Sequence, residues 1–386
     1  MTKNIKTRFV QIGRGHKDKT PTVVNPSIIR GSTVLYGTVK EMNNICERGE
    51  AGENILRYGS FGTQNAFILK ETLNEIEGGV STMLFPTGLA AIAHVLISTL
   101  KIGDHILISE SVYHPARILA TKFLSQRGIE AEFYPGGHEE IARRLKPQTK
   151  MVYLDNPGSI TFDIQDLPAI ADLLQDRNTL LAVDNTWGAA GLYCPLRLGA
   201  DISIIAITKY IAGHSDVMMG SVTANIKASS NLEYDARILG QIASPDECYL
   251  ALRGLRTVAA RLTMHREHTH KVIEGIRHEP KIAQILYPEL ETDPGYKLFK
   301  RDFNGANGLI TLVFKPEITQ IQVNKFADSL KIFGLGASWG GYESLIMVYD
   351  EVGGWSGGHV ARLHIGLEDP EDLIVDIKQA LNNMSS

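Results

Sequence analysis

Cysteine is scarce in this chain of 386 residues: there are three, Cys46, Cys194 and Cys248, widely spaced and without a Cys-x-x-Cys pair. An odd number at such distances excludes a disulfide framework and a zinc ribbon, and reads as reduced structural residues. Long hydrophobic runs are lacking too. No stretch is apolar enough over a bilayer's thickness and the start of the chain carries no apolar signal core, so a soluble, cytoplasmic protein with no membrane partner is expected. Charge of one sign is also missing, with 39 lysines and arginines against 43 aspartates and glutamates. The modestly basic start (Lys3, Lys6, Arg8, Arg14, Lys17, Lys19) is not a nucleic-acid stripe, so no nucleic-acid partner is expected. Internal repeats and low-complexity segments are absent. The length allows about two to three domains, and two is the preferred reading.

Residues 1–62 are rich in Gly, Asn, Thr and Arg with little periodicity, and such an arm needs another surface to order it. From Thr63 a helical pattern carrying Phe67, Ile68, Leu73 and Ile76 runs to a Gly78-Gly79 stop. Strands are expected at 82–85, 105–109, 131–134, 151–155, 180–185 and 202–208, with helices near 115–126, 139–145 and 167–174. This alternation predicts an α/β fold with a mostly parallel sheet covered by helices on both faces. After about Leu252 the pattern changes to a long helix through Val272, strands near 308–314 and 364–366, and a final helix from Pro370. The expected organisation is an arm at 1–62, an α/β domain at 63–254 and a smaller α+β domain at 255–386.

What the chain does have is a lysine in an unusual place. Lys209 ends the nearly unbroken apolar run 202–209, and a buried ammonium there is costly unless it loses its proton or its nitrogen is bonded. A Schiff base with an aldehyde cofactor does both, which suggests a pyridoxal phosphate lysine. Asp184 ends the apolar run 180–183 in the same way and would be stabilised facing a pyridinium nitrogen. Either residue alone could merely close a strand at a wet sheet edge; together at adjacent strand ends they fit a cofactor clamp.

In open parallel sheets ligands gather beyond the carboxyl ends of the strands, so the residues just after each strand are the candidates. Pro86-Thr87-Gly88-Leu89-Ala90-Ala91 would open a helix whose free N–H groups can hold a phosphate. Val112-Tyr113-His114-Pro115 would put a ring where a flat heterocycle could stack, although an ordinary turn tyrosine fits equally well. Thr208 offers a hydroxyl to the same phosphate.

These residues resemble the fold-type I pyridoxal phosphate enzymes of cysteine and methionine metabolism, and within them the members that cleave cystathionine by β-elimination. The resemblance spans nearly the whole chain. It is carried by Asp155-Asn-Pro-Gly-Ser-Ile-Thr161, Asp184-Asn-Thr-Trp187, Thr208-Lys-Tyr-Ile-Ala-Gly-His-Ser-Asp216, Arg253-Gly-Leu-Arg-Thr257, Ala337-Ser-Trp-Gly-Gly-Tyr-Glu-Ser344 and Arg362-Leu-His-Ile-Gly-Leu-Glu-Asp369. The resemblance implies a fold-type I transferase-like fold, Lys209 as the cofactor lysine and a catalytic residue, Asp184 on the ring nitrogen, and Tyr113 over the ring and catalytic as well. Gly88, Leu89 and Thr208 would hold the phosphate, and Arg362 would grip the substrate carboxylate with Ser338 and Trp339. Tyr58 of the arm would reach a neighbouring subunit's phosphate, implying a homo-oligomer, by resemblance a homotetramer built as a pair of dimers.

The expected reaction is α,β-elimination on L-cystathionine giving homocysteine, pyruvate and ammonia, with side activity on cysteine-type substrates. The alternatives are γ-cleavage, γ-synthesis or sulfhydrylation of an activated homoserine, and more remotely a non-catalytic regulatory protein on the same fold. The run Ser338-Trp339-Gly340-Gly341-Tyr342 favours the β-lyases. Two positions depart from the family pattern. Ser60 stands where an arginine to the phosphate is expected, which predicts weaker cofactor retention unless Arg57 substitutes, and Ala206 stands where a small hydroxyl residue is usual. His265, His268 and His270 read as a solvated helix face and not a metal site. The glycine-rich segment 352–358 reads as a mobile loop at the substrate mouth.

Overall fold

The computed structural model describes residues 4–14 and 23–384; of the basic start, Lys3, Lys17 and Lys19 lie outside them. Two sheets organise the chain. The first has seven strands: β1 (Ser81–Phe85), β2 (His105–Ser109), β3 (Glu130–Tyr134), β4 (Thr149–Asp155), β5 (Leu180–Asp184), β6 (Ile202–Ala206) and β7 (Gly220–Ala224). Their order is β1-β7-β6-β5-β4-β2-β3, parallel from β6 to β3 and antiparallel on both sides of β7. Strands β2 and β4 to β6 are buried along almost every residue, as expected of a sheet covered on both faces. The second sheet comprises β8 (Ile282–Leu286), β9 (Leu309–Phe314), β10 (Gly334–Leu335), β11 (Leu345–Tyr349) and β12 (Val360–His364), and is mainly antiparallel.

Local chemistry explains the boundaries near the site. The helix Gln64–Glu77 stops where Gly78 turns left-handed at φ 78° and returns its N–H to the Asn74 carbonyl. The helix Gly88–Thr99 starts where the Thr87 hydroxyl accepts the Ala90 N–H. The ladder of β6 ends at Ala206, short of the expected Thr208, because the Lys209 N–H turns back to the Ala206 carbonyl and the Thr208 N–H goes to Met219. Lys209 therefore stands on a turn beyond the strand. The late strand expected at 364–366 is instead β12, ending at His364.

One helix, Pro245–Ile276, joins the two sheets' layers, starting earlier than the sequence pattern suggested and containing the boundary expected at 254/255. Its buried stripe includes Cys248, Leu252, Leu255, Val258, Leu262, Val272 and Ile276. The histidines on it correct the sequence reading. His265 and His268 are 0% and 9% exposed, so this face is not solvated. His265 Nδ1 lies 2.8 Å from the Ile365 carbonyl, its ring packs against Tyr210 and His364, and burial depresses its pKa to about 4. His270 pairs with Glu289. In the segment 352–358 Trp355 is partly buried against the core and donates Nε1–H to the Gly358 carbonyl within the same segment, while most of its other residues are exposed.

A buried glutamate ties the first sheet together beneath the site. Glu77 Oε2 accepts hydrogen bonds from Asn185 Nδ2 at 2.9 Å and Ser203 Oγ at 2.7 Å, linking a helix end to β6 and to the neighbour of Asp184. Burial raises its pKa from 4.5 to about 7. Between those values the folded chain holds a proton that the unfolded chain has released. This contribution is full below the window and is lost as pH rises through about 7. Glu77→Gln should therefore narrow its stability gap to the unmodified chain as pH rises; denaturation midpoints that stay parallel across this range would refute the assignment.

Candidate active site

The carboxyl ends of β1, β4, β5 and β6 converge with residues of the second sheet's layer on a cavity of about 370 Å³. Gly88, Leu89, Tyr113, Asp184, Thr208, Lys209, Trp339 and Arg362 all line it, so eight of the expected site residues meet in one place. Ser338 joins them through its hydroxyl, which accepts a hydrogen bond from Lys209 Nζ at 2.7 Å. Tyr58 does not line this cavity; it is 48% exposed on the turn before Gly59–Phe61. The segment 352–358 does not line it either.

Electrostatics set the protonation of the group. Burial lowers the Lys209 amine to about 8, assisted by the positive Arg362 and opposed by Asp184. Its Nζ also lies 5.4 Å from the Trp339 ring centroid. Burial pushes the Asp184 carboxyl up, while the Thr186 hydroxyl, the Thr186 N–H at 2.9 Å and Lys209 hold it back. Arg362 is buried with its guanidinium 5.7 Å from the Tyr349 ring centroid and an Nη2 3.5 Å from the Ser338 carbonyl. Tyr113 is half exposed, and burial followed by the negative Asp184 raises its phenol, which keeps it protonated near neutral pH.

One end of the cavity suits a phosphate. The N–H groups of Gly88 and Leu89 head the helix, where no intrahelical carbonyl can reach them. Gly88 is required by packing: a Cβ there would fall 2.7 Å from the Ala206 Cβ. Thr208 contributes less than expected, since its hydroxyl already exchanges hydrogen bonds with Met219, donating to the carbonyl at 3.2 Å and accepting the N–H at 3.0 Å. Sequence reasoning gave no role to Thr186, Trp187 or Asp155. Asp155 had a legible signal, because it ends an apolar run just as Asp184 does.

This donor set fits pyridoxal phosphate: an amine of low basicity for the aldehyde, a buried carboxyl for the ring nitrogen, and a helix head cleared by glycine for the phosphate. The family described as Cys/Met metabolism PLP-dependent enzyme matches residues 6–382, and the chain belongs to it. Its cofactor is pyridoxal 5'-phosphate, and it is a pyridoxal phosphate-dependent lyase. It is 36% identical to cystathionine beta-lyase MetC of Escherichia coli (strain K12), with 97% of each chain covered. It is also 33% identical to an L-alanine/L-glutamate racemase of Wolbachia pipientis wMel, over 97% of this chain and 96% of the relative. Among solved structures, cystathionine gamma-lyase from Lactobacillus plantarum complexed with L-serine superposes with a TM-score of 0.87 at 25% identity, covering 99% of this chain and 100% of that one.

Filling the glycine gap should be felt at the phosphate. Gly88→Ala is expected to raise the cofactor dissociation constant by about tenfold or more, measured by titrating the apoprotein with pyridoxal phosphate; an unchanged constant would show that this helix head does not hold it.

Proposed function

We propose that this protein is a cystathionine β-lyase, converting L-cystathionine and water to homocysteine, pyruvate and ammonia. The observation that carries the reading is the arrangement of Lys209, Arg362 and Asp184 around one cavity walled by Trp339 and Tyr113. The relatives named cystathionine beta-lyase support it over their nearly full length. When bound, the cofactor supplies an electron-withdrawing ring that stabilises negative charge at the substrate α-carbon.

The chain's residues do the rest. Arg362 would grip the substrate carboxylate through its two-pronged guanidinium and so fix the amino acid's orientation beside Lys209. Lys209, an amine titrating near 8, takes the α-proton as a general base. Asp184, by remaining negative, would favour the protonated form of the cofactor's ring nitrogen. As the bond from the β-carbon to sulfur breaks, the electron pair leaves with the sulfur, and a proton is returned to it from protonated Lys209 or from the phenol of Tyr113. Trp339 and Tyr113 shield the centre from bulk water.

The arm supports a homo-oligomeric enzyme, with a homotetramer as the assembly proposed, and a cytoplasmic location is proposed with it. Val23, Val24, Leu35 and Val39 stay largely exposed in the single chain, apolar surface that a second copy would cover. Tyr58 would then complete a neighbour's phosphate site. Arg57 is a poor replacement for the absent arginine, because its guanidinium lies over the Phe61 ring, 3.7 Å from the centroid. Ser60→Arg should therefore tighten cofactor binding by about tenfold, and an unchanged dissociation constant would discard the idea.

The reaction is tested by incubating the loaded protein with L-cystathionine and identifying the keto acid by mass spectrometry. Pyruvate with homocysteine is expected, and Lys209→Ala should abolish it together with the cofactor's lysine-bound absorption band. Formation of 2-oxobutyrate with cysteine would make the protein a γ-lyase, and conversion of L-alanine to D-alanine in place of lysis would make it a racemase.

A further inference from the structure

Asp155 lines the cavity and has no part in the reaction as written. It closes β4 as Asp184 closes β5, and the two are register partners in the parallel ladder. Register partners on neighbouring strands put their side chains on the same face roughly 5 Å apart. The compensation they receive is unequal. Asp184 has the Thr186 N–H and hydroxyl and the charge of Lys209. Asp155 is 6% exposed; its Oδ2 accepts one hydrogen bond, from the Tyr113 N–H at 2.8 Å, and its Oδ1 is buried without a partner. No cation pairs with it among the described residues.

The groups facing Asp155 make ionisation worse. Asp184 on β5 and Asp163 beyond β4 are acidic, while Tyr153 and Tyr134 on the strands and Tyr113 before its helix are phenols that burial keeps neutral. Tyr153 shares the face of Asp155 and its hydroxyl also lacks a partner. Two carboxylates this close in a buried site repel each other, which favours a proton on one of them. The member with fewer donors is Asp155.

We propose that Asp155 is a positioning residue that works as a neutral carboxylic acid beside Asp184. Its proton leaves Asp184 as the lone negative charge at the ring-nitrogen end of the site, and its Oδ2 fixes the backbone of Tyr113. Loss of the proton at alkaline pH places a second negative charge against Asp184 and Tyr113, changing both the ring's protonation and the phenol's. The link to the ring rests on the proposed placement of Asp184 against the cofactor nitrogen; the protonation of Asp155 does not.

The test compares holoenzymes carrying Asp155, Asp155→Asn and Asp155→Ala. Asparagine keeps an acceptor for Tyr113 and mimics the neutral acid, so its kcat/KM near neutral pH should fall by no more than about threefold, whereas alanine should cost more than about tenfold. The infrared C=O stretch of a protonated carboxylic acid should weaken in Asp155→Asn. An alkaline transition of the cofactor's absorbance is expected in the unmodified enzyme and should disappear in Asp155→Asn. An undiminished infrared band in Asp155→Asn overturns the proposal. A weakened band with an unchanged absorbance transition would overturn the role given to the lone charge at Asp184, and with it the placement of the ring nitrogen.

Discussion

An amine, a guanidinium and two carboxyl groups share one largely enclosed cavity, and their desolvation is the constraint that the rest of the structure serves. Each charge would be costly to bury alone. Their direct partners are few: Lys209 has the Ser338 hydroxyl, Arg362 the Ser338 carbonyl, Asp184 the Thr186 amide and hydroxyl, and Asp155 only the Tyr113 amide. None of these contacts fully repays desolvation, and the remainder appears as shifted acidity. A lysine moved to about 8 can give and take protons near neutral pH, which an ordinary surface lysine cannot.

The two sheets divide the labour. The parallel sheet supplies the groups suited to the cofactor, since Asp184 and Lys209 follow neighbouring strands and Gly88 follows β1. The second sheet's layer supplies the groups proposed for the substrate through Arg362 on β12 and Ser338 and Trp339 ahead of β11. Their relative position is fixed by packing. Tyr210, next to Lys209, lies 5.6 Å from His265 and 5.9 Å from His364 between ring centroids, and its hydroxyl accepts the Gly308 N–H. His265 holds the Ile365 carbonyl and His364 the Glu343 carbonyl, so long helix, β12 and the cofactor turn are locked together. Both imidazoles are kept neutral by burial, which spares the cavity further positive charge.

Much of this was legible in the amino-acid order, for identifiable reasons. The strand at 105–109 and the helix at 167–174 coincide with β2 and Leu167–Leu174 because an apolar run and an Asp166 cap are local signals. Lys209 and Asp184 announced themselves as charges ending apolar runs. Features that depend on distant partners were not legible. β7, a short run of small and β-branched residues, becomes a strand because β1 and β6 flank it. His265 and His268 look solvated beside Arg266 and Glu267, and the contacts that bury His265 come from residues about a hundred positions away. Asp155 carried the same local signal as Asp184, but its meaning lies in their pairing across the ladder.

The phosphate end shows how far a single chain can complete this site. The residues lining it there, Thr87, Gly88, Leu89, Ala206, Thr208 and Met218, include no cation. A phosphate dianion would rest on the helix's positive end and a few N–H groups, interactions each worth about 1 kcal/mol where solvent reaches them. Ala206 withholds a hydroxyl, Thr208 has already committed its own to Met219, and Arg57 is stacked on Phe61. Such a site is short of positive charge in the single chain, and in the proposed assembly Tyr58 of a neighbouring arm would add a hydroxyl but no charge.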